Sequence, residues 1–91
     1  MAYRVVVLPA GERDLGALDA SVRRRVLLRI VWLGEHAAET IHHRMSNLPD
    51  DLSGLCRLRV GHYRILYWVY LQRELLTIYR VQHRREVYEN L

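Results

Sequence analysis

The chain of 91 residues is 51% hydrophobic and 26% charged, with a formal net charge of +4, which indicates one globular domain over residues 1–91 and argues against disorder. All fourteen basic side chains are arginine, and the single cysteine, Cys56, excludes a disulfide framework and a cysteine metal cluster. No apolar run approaches the roughly 18 residues of a membrane span, and the first residues lack the charge order of a signal peptide, so we expect a cytoplasmic protein without membrane contact.

The N-terminal part of the chain predicts one strand and two helices. Residues 3–8 are an apolar, β-branched run closed by Pro9, which predicts a buried strand followed by a short helix that begins at the proline. Asp19 is suited to cap a second helix that begins at Ala20 or Ser21. In this second helix one stripe at helical spacing is predicted to face the core, and it comprises Val22, Val26, Ile30 and Leu33.

The second helix carries more apolar surface than one core-facing stripe requires. The additional apolar residues are Leu27, Leu28, Val31 and Trp32. In so small a domain, a helix that is apolar nearly all round exposes apolar surface unless another part of the chain or a second protein packs against it. A neighbouring helix or loop of the same chain could cover it, and so could a partner protein.

The C-terminal part predicts three consecutive antiparallel strands. Residues 36–53 are polar and irregular, and after them the apolar runs 55–60, 63–71 and 75–81 are separated by turn signals. Together with the first strand, they predict an α+β fold: a small antiparallel four-stranded sheet with two N-terminal helices packed on one face. The predicted order is β-α-α-β-β-β, with a short helical turn at the C-terminal end.

Arginines dominate the C-terminal part of the chain. Between residues 57 and 85 there are seven arginines and one acid, a net charge of +6. The period of two in strands places Arg57 and Arg59 on one face, where together with Arg64 they could form a phosphate-binding patch. Alternatively, Arg57 or Arg59 could pair with Asp50 or Asp51, and Arg64 could be a solvated residue on an exposed sheet face.

Arginine holds its proton at any useful pH, so proton transfer beside these residues requires other groups. His83 can act as base or acid near neutral pH, and Tyr88 could transfer a proton or stack on a nucleobase. Both could equally have structural roles, as a hydrogen-bonded surface histidine and a packed tyrosine. His42 and His43 lack the companion ligands of a metal site, so we expect no metal.

Two segments together resemble the RelE/ParE toxin superfamily: Leu58–Tyr67 with its arginines, and the ending Val81–Tyr88. They are most similar to the RelE branch of mRNA interferases. The resemblance implies a toxin of a type II toxin–antitoxin system that cleaves mRNA in the ribosomal A site by attack of the ribose 2′-hydroxyl, without metal or cofactor. It also implies a cognate antitoxin, held in a hetero-oligomer, and the ribosome and mRNA as further partners.

The resemblance implies roles for particular residues. The catalytic group would be Arg64, His83, Arg84 and Tyr88, and the RNA phosphates would contact Arg57, Arg59 and Arg85. The antitoxin would bind the apolar surface at Leu27, Leu28, Val31 and Trp32. Gln82 stands where the family often has glycine, and the chain has no lysine, which some members place among the catalytic groups.

Two alternative functions follow from the same resemblance. ParE-type relatives share the fold but inhibit DNA gyrase without catalysis, and they usually lack the histidine–arginine–tyrosine ending. The other alternative is an inactive toxin that acts only as an antitoxin-binding corepressor.

Overall fold

The computed structural model describes residues 2–87, so Tyr88 lies outside the described residues. Within residues 2–87, two helices and five strands follow one another as β1 (Arg4–Val7), α1 (Pro9–Ala17), α2 (Ala20–His36), β2 (His43–Arg44), β3 (Cys56–Val60), β4 (Tyr63–Tyr70) and β5 (Leu75–His83). Short 3-10 turns lie at Asp50–Leu52 and Leu71–Arg73. Among the described residues, no helix is long and apolar enough to cross a membrane.

The five strands form one mixed sheet in the order β1-β5-β4-β3-β2. The α+β class is confirmed, but the prediction of four antiparallel strands is wrong in two respects. Strand β1 pairs with β5 in the parallel direction, and β2 adds a fifth strand antiparallel to β3. Strand β2 has two residues, too few for a hydropathy alternation to show, and the sequence pattern of β1 does not specify the direction of its partner.

Both helices cover the same face of the sheet, as predicted. Val26, Ile30 and Leu33 of α2 are at most 5% exposed and pack with strand residues such as Ile65 and Ile78 in the main core. The predicted stripe of α2 is therefore confirmed, with Val22 at its partly buried end.

The corner between the two helices is fixed by Arg23. Its guanidinium donates hydrogen bonds to the carbonyl oxygens of Leu15, Gly16 and Leu18 at 2.8, 3.1 and 2.8 Å. Cationic donors at a helix C-terminus satisfy carbonyls that have no partner within the helix. Asp19 occupies the predicted N-cap position of α2, but its side chain makes no capping hydrogen bond.

Helix α1 packs against the part of β5 that extends beyond the end of β1. A Cβ atom added at Gly11 would lie 3.2 Å from the Tyr79 carbonyl oxygen, so the close approach of helix and strand requires a small residue there. Asp14 accepts two hydrogen bonds from the Arg80 guanidinium, at 2.7 and 3.1 Å, and one from the Val81 backbone N–H at 2.9 Å. The Asp14 carboxylate thus accepts a backbone N–H of β5 at a position beyond the end of β1, where β1 provides no partner.

The face of the sheet opposite the helices carries a second, smaller core. Met45, Leu55, Leu66 and Val87 are buried there, with Trp68 and Tyr79 packed against them. Residues 84–87 form a turn in which the Glu86 backbone N–H donates to the His83 carbonyl oxygen at 2.8 Å. This turn carries the chain after β5 onto the second face, and the remainder of the predicted helical turn lies outside the described residues.

A β-bulge interrupts the pairing of β4 with β5. Tyr67 lies opposite Ile78, whereas the preceding residue Leu66 lies opposite Arg80, so Tyr79 is the extra residue. One extra residue reverses the face on which every later side chain of the strand lies. As a result Ile78 and Val81, three positions apart, both belong to the helix-covered core.

Candidate functional site

The hairpin of β3 and β4 presents three arginines on the face opposite the helices. Arg59 lies directly across from Arg64, and Arg57 lies across from Leu66. The alternate residues of β3, such as Leu58, pack in the helix-covered core, which leaves the arginines on the other face. The prediction that Arg57, Arg59 and Arg64 share a face is confirmed by this register.

Arg64 is held in place by its own hairpin. Its guanidinium donates hydrogen bonds to the carbonyl oxygens of Gly61 and Tyr63, at 3.1 and 2.9 Å. Gly61 adopts a φ of 58°, a left-handed conformation that suits glycine in the turn. The hydrogen bonds fix the side chain without neutralising its charge.

Among residues 2–87, the charged side chains that act on the pKa of Arg64 are all positive. Desolvation by burial lowers the pKa of Arg64, and the positive charges of Arg59, Arg57 and Arg84 lower it further. Within residues 2–87, neither Arg59 nor Arg64 forms an ion pair with a carboxylate, so neither is held by Asp50 or Asp51. The structure therefore gathers an arginine cluster, defined as Arg57, Arg59, Arg64 and Arg84, that an anion would stabilise.

A cleft of about 460 Å³ opens beside this cluster. It is lined by Arg57, Leu58, Arg59 and Arg64 of the hairpin, by Arg29 of α2 and by His43 of β2. The guanidinium of Arg29 lies 4.1 Å from the centre of the Trp32 ring, a cation–π contact that holds this arginine at the rim. A cleft with this lining can bind a phosphate group and bring an imidazole close to it.

The structure does not bring His83 to the arginine face. His83 lies across from Tyr63 at the end of β5, and its ring packs edge-on against the Tyr63 ring with 5.4 Å between centroids. Tyr63 lines a small pocket together with Val22 and Arg25 of α2, which shows that this side of the hairpin faces the helices. Because of the bulge at Tyr79, Gln82 instead of His83 shares the face of Arg64.

Gln82 is 4% exposed and lies across from Arg64. Its side-chain oxygen has no hydrogen-bond donor within the described part of the chain. A glycine at this position would leave the space beside Arg64 empty. Gln82 therefore fills the floor of the arginine face.

Two other predicted site residues lie around this end of the sheet. Arg85 is exposed, and its backbone N–H donates to His83 Nδ1 at 3.2 Å, so it borders the histidine. Arg84 donates its backbone N–H to the His62 carbonyl oxygen at 2.7 Å, which anchors the start of the C-terminal turn. Tyr88, the remaining predicted catalytic residue, lies outside the described residues.

The predicted antitoxin surface is exposed on α2. Leu27, Leu28 and Val31 are 43%, 61% and 55% exposed, so within residues 2–87 no helix or loop covers them. Trp32 is half-buried between Arg29 and the ring of His36, which stacks on it with centroids 4.7 Å apart. This apolar patch lies close to the arginine-lined cleft, since Leu28, Arg29 and Trp32 also border one shallow depression with Val60.

Sequence reasoning missed two residues of the cleft, Arg29 and His43. Arg29 is the polar residue within an apolar stretch of α2, which is the one signal that could have marked it. His43 offered no signal, because the strand that carries it is too short to recognise. Within residues 2–87, no group of three or more histidine, cysteine or acidic side chains is placed to hold a metal ion.

Comparisons with known proteins agree on the class. Residues 5–88 match the family described as the ParE toxin of the type II toxin–antitoxin system parDE. The toxin–antitoxin complex RelBE2 from Mycobacterium tuberculosis is similar in structure, with a TM-score of 0.75 and 25% identity over 91% of this chain and 92% of that one. The archaeal RelE–RelB complex from Pyrococcus horikoshii gives a TM-score of 0.71 and 25% identity over 92% and 97% of the two chains.

A ParDE system from Pseudomonas aeruginosa shares the fold, with a TM-score of 0.67 and 14% identity over 90% of this chain and 96% of that one. No curated protein matches the chain. The fold and the family match define a small α+β toxin of the RelE/ParE superfamily. The chain belongs to the ParE toxin family of type II toxin–antitoxin systems.

Proposed function

We propose that this toxin is an endoribonuclease that cleaves mRNA in the ribosomal A site and so inhibits translation. The observation that carries the proposal is the convergence of Arg57, Arg59 and Arg64 on one face beside a cleft, with Arg84 near enough for its charge to lower the pKa of Arg64. Clustered guanidinium groups repel one another, and a polyanion relieves that repulsion. The 25% identity to RelE-type toxins in two solved complexes adds support from the comparisons.

The proposed reaction is attack of a ribose 2′-hydroxyl on the adjacent phosphorus, without metal. The arginine cluster would stabilise the charge that develops on the phosphoryl oxygens, with Arg64 as its fixed centre. Arg57 and Arg59 would hold the phosphate backbone, and Arg85 a neighbouring phosphate. His83, Arg84 and Tyr88 remain proposed participants in proton transfer and orientation, although the ring of His83 must leave Tyr63 to reach the cluster.

A cognate antitoxin is the proposed protein partner, in a hetero-oligomer with the toxin. The toxins of the two RelE-type structures were each solved in a toxin–antitoxin complex. An antitoxin helix or strand would cover the apolar patch at Leu27, Leu28, Val31 and Trp32, and acidic side chains of the antitoxin would meet the arginine cluster.

Arg64→Ala tests the proposed activity. The variant should cleave mRNA roughly 10²–10³-fold more slowly, the usual cost of removing one fixed donor from a transition state. The rate is measured by incubating the toxin with programmed ribosomes and mapping the new mRNA ends. Arg73→Ala is the matched control, because Arg73 is an exposed arginine at the far end of β4 and should leave the rate unchanged.

The family match names a ParE toxin, which keeps inhibition of DNA gyrase as the alternative function. A wild-type toxin that leaves mRNA intact on ribosomes but blocks DNA supercoiling by gyrase would establish that alternative. A wild-type protein without either effect that still binds its antitoxin would be an inactive toxin acting as a corepressor.

A further inference from the structure

The segment between α2 and β3 brings a second imidazole to the arginine cluster. In the antiparallel pair of β2 and β3, His43 lies directly across from Arg57. Residues opposite one another in such a pair project from the same face of the sheet. The imidazole of His43 therefore shares the face of the arginine cluster, and it lines the same cleft as Arg59 and Arg64.

The backbone that carries His43 is fixed on both sides. On one side His42 bridges two elements, with Nε2 2.8 Å from the Ala37 carbonyl oxygen and Nδ1 2.6 Å from the Tyr67 hydroxyl. A carbonyl oxygen can only accept, so Nε2 donates to Ala37, and in the neutral ring Nδ1 then accepts from the buried phenol. On the other side the Met45 backbone N–H donates to the Leu55 carbonyl oxygen at 2.9 Å, and the Met45 side chain lies in the second core.

Because the backbone is fixed on both sides of His43, its exposed side chain projects from a well-defined position. A group that must meet a reacting atom needs such a support, because a displacement of about 1 Å lowers the rate severely. His83, by contrast, has its ring packed against Tyr63 and stacked at 6.1 Å on the ring of His62. The imidazole that the cleft itself contains is that of His43.

The chemistry of the cleft singles out the same residue. The residues that line the cleft with His43 are Arg29 from α2, Arg57, Leu58 and Arg59 from β3 and Arg64 from β4. None of these can exchange a proton near neutral pH. Among the described residues that line the cleft, His43 alone has a side chain that can.

We propose that His43 is the general base of the cleavage reaction, an inference that rests on the proposed function. The neutral imidazole takes the proton of the ribose 2′-hydroxyl while the 2′-oxygen forms its bond to phosphorus. The bond from phosphorus to the 5′-oxygen breaks, and its electron pair stays on that oxygen, which takes a proton from water. The products are a 2′,3′-cyclic phosphate and a 5′-hydroxyl, and the imidazolium returns its proton to the hydroxide.

The test compares three variants on programmed ribosomes. His43→Gln should cleave about 10²–10⁴-fold more slowly than the wild type, the usual contribution of a positioned base. His36→Gln, which changes a histidine at the end of α2 outside the cleft, should cleave at the wild-type rate. His83→Gln should lose less activity than His43→Gln.

Imidazole rescue separates a chemical role from a structural one. In the smaller variant His43→Gly, added imidazole should restore part of the cleavage rate, whereas an unfolded protein would gain nothing. The rescued rate should rise with the fraction of neutral imidazole as the pH increases.

The outcomes distinguish the two proposals. If the wild type cleaves and His43→Gln cleaves equally fast, His43 is not the base, while the proposed function stands. The same holds if His43→Gln is slow but imidazole does not rescue His43→Gly. If the wild type does not cleave mRNA on ribosomes, both proposals fall.

Discussion

At the scale of single residues, the buried pair of Tyr67 and His42 links the sheet to the segment that carries His43. Tyr67 is 1% exposed, and its hydroxyl donates to His42 over 2.6 Å. Burial raises the pKa of the Tyr67 phenol, and the neighbouring Cys56 raises it further. The phenol therefore stays neutral in the folded protein at pH values where an unfolded tyrosine ionises.

Tyr67→Phe should lower the free energy of unfolding by about 1–2 kcal/mol at pH 7, because it leaves His42 Nδ1 without a donor. The folded-state pKa of Tyr67 exceeds the unfolded value near 10, so its contribution to stability is present below about pH 10 and is lost as the pH rises further. The difference between wild type and variant in urea unfolding should accordingly shrink above pH 10. Tyr70→Phe is the control, since Tyr70 is 40% exposed and should change little.

An equal effect of Tyr67→Phe and Tyr70→Phe would show that the hydrogen bond to His42 contributes nothing. A difference that grows above pH 10 would contradict the direction of the pKa shift.

The residue scale also shows how far the sequence determines the site. Arg57, Arg59 and Arg64 were correctly placed on one face because both strands of their hairpin are regular and alternate strictly. His83 was expected beside them, and the bulge at Tyr79 reverses its face. A bulge depends on how two strands pair, so it cannot be predicted from the sequence of one strand alone.

At the scale of elements, the contact of α1 with β5 depends on the carboxylate of Asp14. Arg80 and Asp14 side chains are 29% and 17% exposed, and the hydrogen bond to Asp14 is the main cause that raises the pKa of Arg80. Such a bidentate pair with a further backbone N–H is stronger than a surface ion pair.

Asp14→Ala should lower the free energy of unfolding by about 2–3 kcal/mol, because it removes three hydrogen bonds and leaves the Val81 N–H without its acceptor. Asp19→Ala should cost less than about 0.5 kcal/mol, since Asp19 is exposed and its side chain makes no capping bond. Urea unfolding of both variants measures the difference. An equal loss of unfolding free energy in the two variants would mean that the hydrogen bonds of Asp14 to β5 do not stabilise the fold.

The element scale is where prediction from sequence was most uneven. The long strands and the second helix were found because each carries a clear hydropathy period over several residues, and the first helix was found because Pro9 marks its start. Strand β2 was missed, and with it the route by which His43 reaches the cleft. Two residues carry no period, so β2 exists through its pairing with β3 and not through its own sequence.

At the scale of the whole molecule, the apolar patch on α2 and the arginine cluster give the toxin two neighbouring surfaces of opposite character. Leu28 is the most exposed large apolar residue of α2, at 61%. Exposed apolar surface of this kind on a small domain marks an interaction site.

Leu28→Glu should weaken binding of the cognate antitoxin at least about tenfold, because it places a charge in the apolar contact. Its rate of mRNA cleavage should stay at the wild-type value. Titration calorimetry with the antitoxin measures the affinity, and Ile41→Glu is the control, since Ile41 is 79% exposed but lies outside α2. If Ile41→Glu weakens binding as much as Leu28→Glu does, the antitoxin does not recognise the patch on α2.

The position of β5 between β1 and β4 also constrains when the toxin can fold during its own synthesis. Strand β1 leaves the ribosome first, yet the strand it bonds to begins only at Leu75, so pairing must wait until most of the chain has been translated. A nascent chain interrupted before Leu75 already contains Arg57, Arg59 and Arg64, but it lacks β5, the strand to which both β1 and β4 are hydrogen-bonded. Aborted translation products should therefore be harmless to the cell that makes them.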